Sequence, residues 1–265
     1  MGMVGAARVA ARLARMATAT AWTVQRMRWQ ERRGGVCPHK AVASAHAWAK
    51  RMVPALGVEL DVAGQAPRER VLLVSNHRSY LDIPILLSQL PCAFLAKAEI
   101  ADWPLFGSAA RLSHAVFVRR EDKHSRRAAR RASVDRLQRG LSLAAFPEGT
   151  TSRGPGLLPF FPGLFQEAEA HGFPVMPVAL ELEDPDDAWV DDDPFLGHFL
   201  RSFRKRRVRA SLAFGPVLRP GEVRNLKSET EGWIRTRLER VRRRAPERHA
   251  GLERPAAGRA QPSAA

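Results

Sequence analysis

The feature that most constrains this chain is a set of short, mostly apolar runs that each stop in a polar loop: 71–74, 92–96, 115–118, 141–146 and 175–182. They are four to eight residues long, the length of buried strands and short of a stable helix. Between them lie stretches with helical spacing, at 104–112, 122–139 and 162–170. A β-α alternation of this length predicts an α/β domain with a mixed, largely parallel sheet flanked by helices. Two further runs, 58–62 and 208–214, also read as strands. Open sheets of this kind bind ligands at the carboxyl ends of their strands. Side chains in the loops after each run are therefore the first candidates for chemistry.

The loop after 71–74 reads Ser75-Asn76-His77-Arg78-Ser79-Tyr80-Leu81-Asp82. Asp82 suits the first turn of a helix, where Pro84 is tolerated. A tight turn would fold the Asp82 carboxylate back onto the His77 ring. A carboxylate on one ring nitrogen fixes the tautomer and leaves the other nitrogen to accept a proton. His77 with Asp82 is thus a candidate general base for a hydroxyl.

The loop after 141–146 reads Phe146-Pro147-Glu148-Gly149-Thr150-Thr151-Ser152-Arg153-Gly154, and it presents Glu148 and Arg153. At this point the chain resembles the glycerolipid acyltransferase family, especially the bacterial 1-acylglycerol-3-phosphate (lysophosphatidate) acyltransferases. The resemblance covers about 41–219 and rests on four blocks in the family's order. These are His77 with Asp82, then Lys97-Ala98-Glu99 leading through Pro104 and Gly107 to Arg119-Arg120, then Glu148-Gly149-Thr150 with Ser152, and finally Val175-Met176-Pro177-Val178. Two positions depart from it. Thr151 stands where many lysophosphatidate enzymes have arginine, and 160–163 reads Phe-Phe-Pro-Gly without the usual basic residue. Both departures remove positive charge from the expected acceptor site.

The resemblance implies an O-acyltransferase that moves a fatty acyl group from acyl-CoA or acyl carrier protein to 1-acylglycerol-3-phosphate, giving phosphatidate in phospholipid biosynthesis. His77 and Asp82 would be catalytic. Glu148, Gly149, Thr150, Arg120, Arg153 and Lys97 would bind substrate, with Glu148 at the acceptor's glycerol and the cations at phosphate; an ion pair with Glu99 is the competing reading of Lys97. No metal or cofactor is implied beyond the acyl donor itself. Another lysolipid acceptor, such as lyso-ornithine lipid, is the alternative encouraged by Thr151. A binder of nucleic acid or anionic surfaces without chemistry is motivated by charge alone, because no nucleic-acid motif is present.

Charge and length bound the rest. The 265 residues suffice for one sizeable core. The net charge of +16 favours phosphate-bearing partners, although the abundance of alanine, arginine, glycine and proline also suits GC-rich coding. Cys37 and Cys92 are the only cysteines, and they lie far apart, which suggests neither a disulfide framework nor a zinc site. Residues 1–39 are expected as a basic amphipathic segment, 40–245 as the acyltransferase domain and 246–265 as a disordered tail. Within the first segment, Val4, Val9, Leu13, Met16, Val24 and Met27 keep near-helical spacing beside arginines, with Trp22 and Trp29 as interfacial aromatics. Docking on an anionic membrane surface and packing on the domain both fit that stripe. The apolar runs are too short to span a bilayer, so the expected location is peripheral or monotopic, on the cytoplasmic face of the inner membrane. Residues 181–193 are strongly acidic and read as an exposed loop. Arginines 126, 127, 130 and 131 read as a solvated helix face.

Overall fold

The computed structural model describes residues 3–34, 37–103, 106–190 and 193–250. Its order is α1 (Met3–Arg32), α2 (Pro38–Ala55), β1 (Val58–Ala63), β2 (Leu72–Ser75), α3 (Asp82–Gln89), β3 (Cys92–Lys97), α4 (Phe106–Leu112), β4 (Val116–Val118), α5 (Lys123–Gln138), β5 (Ser142–Ala145), α6 (Gly163–His171), β6 (Val175–Leu182), α7 (Phe195–Arg204), β7 (Val208–Phe214) and α8 (Leu226–Ala250). The seven strands form one sheet in the order β1-β7-β6-β2-β5-β3-β4. Every neighbouring pair is parallel except β6 with β7. The expected α/β domain with a mixed, largely parallel sheet is therefore what the chain builds.

Alternation along the strands feeds two separate cores, because successive side chains point to opposite faces. Leu73, Ala144, Phe146, Val178 and Leu180 face one core, together with Val9 of α1, Met52 of α2, Ile85 of α3 and Phe203 of α7. Leu72, Val74, Leu143, Ala145 and Ala179 face the other, with Val134 of α5, Phe165 of α6 and Ile234 of α8. α1 thus lies outside one face of the sheet and α5 outside the opposite face. The central strands β2 and β5 are buried throughout, as a strand covered on both faces must be.

Three expectations change at this level. First, of the two fits left open for α1, packing on the domain is the one observed, against α2, α4 and α7, and two of its arginines fasten it there. Buried Arg12 donates to the carbonyls of Phe203, Lys205 and Arg206, and Arg8 donates to that of Arg204. They satisfy carbonyls at the negative end of α7 and in the two residues just past it. The 39/40 boundary falls inside α2.

Second, the acidic stretch 181–193 is not simply an exposed loop. Glu181 and Asp187 are buried, and Lys205 holds both Asp187 and Asp184 at 2.7 Å. Immediately after it comes α7, a helix the sequence reading left out; its Phe199 and Phe203 are buried while Arg201 and Lys205 carry the polar side. Third, α8 continues to Ala250, past Pro246 where the tail was expected to begin. Residues 251–265 of that expected tail, and Pro104 of the second block, lie outside the described residues.

Candidate active site

β2 ends at Ser75, and the chain turns through 76–81 before α3 begins at Asp82. Asn76 anchors the turn to β6, giving its side-chain N–H to the Leu180 carbonyl at 2.7 Å and accepting the Leu180 N–H at 2.9 Å. The His77 Nδ1 then lies 2.7 Å from Asp82 Oδ2. The same Oδ2 accepts the backbone N–H of Arg78 at 2.6 Å and of Ser79 at 2.9 Å. Asp82 is fully buried and fixed by this turn, so the imidazole meets a carboxylate that does not wander. Phe146 stacks on the other side of the ring, 4.1 Å between centroids and 13° between planes. With Nδ1 engaged, Nε2 is the nitrogen left for an incoming hydroxyl.

His77 is held against the second loop by Glu148. Its Oε1 accepts the His77 backbone N–H at 2.8 Å and its Oε2 accepts that of Leu158 at 3.1 Å. Glu148 is 4% exposed, and burial pushes its carboxyl up to about 7, against the pull of those two N–H groups and of Arg78. Both oxygens are thus committed to backbone, where the sequence reading had placed an acceptor's glycerol. Gly149 sits at φ 73°, and a Cβ there would meet the Phe161 ring at 2.6 Å. It is the turn that brings Glu148 back under His77; its own N–H is spent on the Phe146 carbonyl.

A side chain absent from the sequence reading ties this assembly together. Arg78 is fully buried. Its guanidinium donates to Ser152 Oγ at 2.5 Å, to the Gly156 carbonyl at 3.1 Å, and to both Glu181 oxygens at 3.3 and 3.4 Å. Arg242 of α8 closes on Glu181 at 2.8 Å from outside. One arginine therefore joins both motif loops, β6 and α8. An arginine beside His77 gives no sign in sequence of whether it faces solvent or core, so the latch was not legible.

His77 opens onto a cavity of about 480 Å³ on the α1 face of the sheet, a volume in the range of small-molecule sites. Its walls are mostly apolar, with Met16 and Met27 of α1, Trp48 and Met52 of α2, and Phe94 of β3 among them. Tyr80, Trp189, Phe195 and Phe199 close another side as a packed aromatic group. α1 and α7, neither of which resembles a motif, thus build much of the wall.

The cations divide. Lys97, at the end of β3, and Arg120, after β4, line this cavity together with Glu99, which lies 3.8 Å from Lys97. Arg153 does not. It lines a separate, charged cleft under α8 and pairs with Asp193 at 3.0 Å and Asp186 at 3.6 Å. Thr151 does face the His77 cavity, and its buried hydroxyl has no hydrogen-bond partner among the described residues. Thr150 is half-buried beside it. No cluster of metal-ligating side chains occurs among the described residues, and among them no helix is long and apolar enough to cross a membrane.

Comparison with known proteins gives concordant matches. Residues 58–181 fit the family model described as Acyltransferase. A lyso-ornithine lipid O-acyltransferase of Pseudomonas aeruginosa is 39% identical over 60% of this chain and 64% of its own length. A 1-acyl-sn-glycerol-3-phosphate acyltransferase of Neisseria gonorrhoeae is 36% identical over 65% of this chain and 69% of its own. The crystal structure of a 1-acyl-sn-glycerophosphate acyltransferase from Thermotoga maritima superposes with a TM-score of 0.62 at 22% identity, covering 76% of this chain and 79% of that one.

Proposed function

Since this chain belongs to the acyltransferase family, we propose that it transfers a fatty acyl group from a thioester donor to the free hydroxyl of a lysolipid. The observation that carries this reading is the 2.7 Å contact of His77 Nδ1 with buried Asp82, placed on an apolar cavity large enough for an acyl chain. His77 Nε2 removes the hydroxyl proton, and Asp82 orients the ring and stabilises the imidazolium. The oxygen attacks the thioester carbonyl, a C–O bond forms, and the C–S bond breaks. The departing thiolate takes the proton back from the imidazolium. No covalent acyl-enzyme is needed. Desolvation of the acyl chain drives binding, at about 0.8 kcal/mol per buried methylene.

Glu148 and Gly149 act by holding the His77 loop, while Lys97, Arg120, Thr150 and Thr151 meet the acceptor's polar head. For 1-acylglycerol-3-phosphate, Lys97 and Arg120 supply the phosphate contacts. A lyso-ornithine lipid acceptor is favoured by a specific observation. The loop after Glu148 brings an unpartnered threonine hydroxyl rather than an arginine to His77, and Arg153 is paired elsewhere. Lys97 and Arg120 with Glu99 make a rim of mixed sign, which suits a zwitterionic amino-acid head better than a phosphate monoester. The enzyme works against a membrane, with exposed Trp22 and Trp29 of α1 and their flanking arginines at the lipid surface on the cytoplasmic side. A panel of lysophosphatidate, lyso-ornithine lipid and other lysophospholipids, offered with long-chain acyl thioesters, tests this. Transfer to at least one of these lysolipids supports the reading; thioester cleavage without any acylated lipid refutes it.

A further inference from the structure

The helix α5 carries an arrangement of charge that folding alone does not favour. Between 119 and 131 stand seven Lys or Arg residues against Glu121 and Asp122, and the Asp122 carboxylate is engaged in capping the helix through the His124 N–H. Three arginines of α5 and its C-terminal cap have an acid: Arg136 and Arg139 pair with Asp135, and Arg130 lies 3.9 Å from Glu167. Over the first nine of its sixteen residues the exposed Lys123, Arg127 and Arg131 pair with no carboxylate among the described residues. They recur every four residues, so they form a single row about 12 Å long on one side of the helix. Like charges at that spacing repel, and Lys123 adds a cation to a helix N-terminus that is already positive. The positive potential is thus concentrated at one end of α5.

That end is fastened to the cavity. Arg126 donates to the Arg120 carbonyl at 2.5 Å and Ser125 Oγ accepts the Arg119 N–H at 2.9 Å, while the Arg120 side chain lines the His77 cavity. α5 also packs on the face of the sheet opposite α1. A bilayer that touches Trp22 and Trp29 on α1 does not lie along α5 as well. The row is free to meet a soluble partner while α1 meets lipid.

We propose that the Lys123–Arg127–Arg131 row is the docking surface for the acyl donor, in the form of a small acidic carrier protein that bears the acyl chain as a thioester. The inference rests on the acyl-transfer reading above, to which it adds a landing place on the enzyme for a protein-borne donor. Free coenzyme A would cluster its phosphates near Arg120, whereas a row of this length leading away from the cavity complements an extended acidic surface such as one helix of a protein. Electrostatic complementarity of this kind speeds encounter and orients the partner.

The test compares palmitoyl-loaded acyl carrier protein with palmitoyl-coenzyme A on the full-length enzyme and on the variant Lys123→Glu/Arg127→Glu/Arg131→Glu, with the milder triple Gln variant in case the first fails to fold. The expected result is a KM for the carrier-borne donor raised about tenfold or more, kcat little changed, and kinetics with palmitoyl-coenzyme A unaltered. Direct titration of unloaded carrier protein should show binding to the wild type that weakens with salt and is lost in the variant. Equal effects on both donors, no effect on either, or a loss of binding to anionic vesicles in place of carrier binding would overturn the proposal. Because the titration needs no turnover, it decides the docking surface even if no lysolipid is acylated.

Discussion

Glu148 Oε1 accepts the backbone N–H of His77 at 2.8 Å, so a carboxyl whose ionisation burial delays until about pH 7 holds the loop carrying the base. The native carboxyl binds a proton between its unfolded pKa near 4.5 and about 7, where the unfolded chain has lost it. Stability from this group is therefore complete below about pH 4.5 and declines as pH rises to about 7, by about 3 kcal/mol in total. Measured from pH 4.5 to 8, the unfolding free energy of Glu148→Gln should lack this decline. A variant with the wild-type slope would show that Glu148 is not the titrating group.

The Arg78 latch predicts a cost out of proportion to its distance from substrate. Glu181→Gln leaves the buried Arg78 guanidinium without its carboxylate, a change that costs about 3–5 kcal/mol when a buried pair loses one partner. Arg242→Gln removes only the outer contact and should cost about 1 kcal/mol or less. Chemical denaturation of the two variants checks the ranking; equal, small effects would mean that Glu181 does not hold Arg78.

Arg12 ties α1 to the end of α7 through three backbone carbonyls. Arg12→Ala should destabilise the protein by about 2 kcal/mol or more, since buried carbonyls lose their donors. It should also loosen the α1 and α7 walls of the cavity. Thermal unfolding together with donor chain-length preference reads both effects, and an unchanged melting temperature would contradict the clamp.

Much of this was legible in sequence for a plain reason. Strands buried on both faces, such as 141–146 and 175–182, are apolar at nearly every position, and the ends of such runs locate His77, Lys97, Arg120 and Glu148. The spacing of His77 and Asp82 allowed a tight turn to bring them together, the resemblance singled the two out, and the contact is present at 2.7 Å. What sequence did not reveal depends on direction. Arg78 and Arg153 are both arginines in loops, yet one is buried under the site and the other turned into a different cleft by Asp186 and Asp193. Glu181 read as part of an acidic loop because its partners, Arg78 and Arg242, lie 103 and 61 residues away.

Thr151 places a hydroxyl where an arginine would bring charge to the acceptor. Thr151→Arg should raise kcat/KM for lysophosphatidate and lower it for lyso-ornithine lipid, shifting their ratio about tenfold or more. Competition between the two acceptors in mixed vesicles measures that ratio directly. An unchanged ratio would remove Thr151 from acceptor selection.

The central claim is that His77, oriented by Asp82, takes the acceptor's proton beside an acyl cavity. The most direct measurement is kcat/KM of purified, folded His77→Ala with a long-chain acyl thioester and the preferred lysolipid. The expected result is a loss of about 10²–10⁴-fold or more with wild-type donor binding and melting temperature, and turnover near the wild-type rate would contradict it.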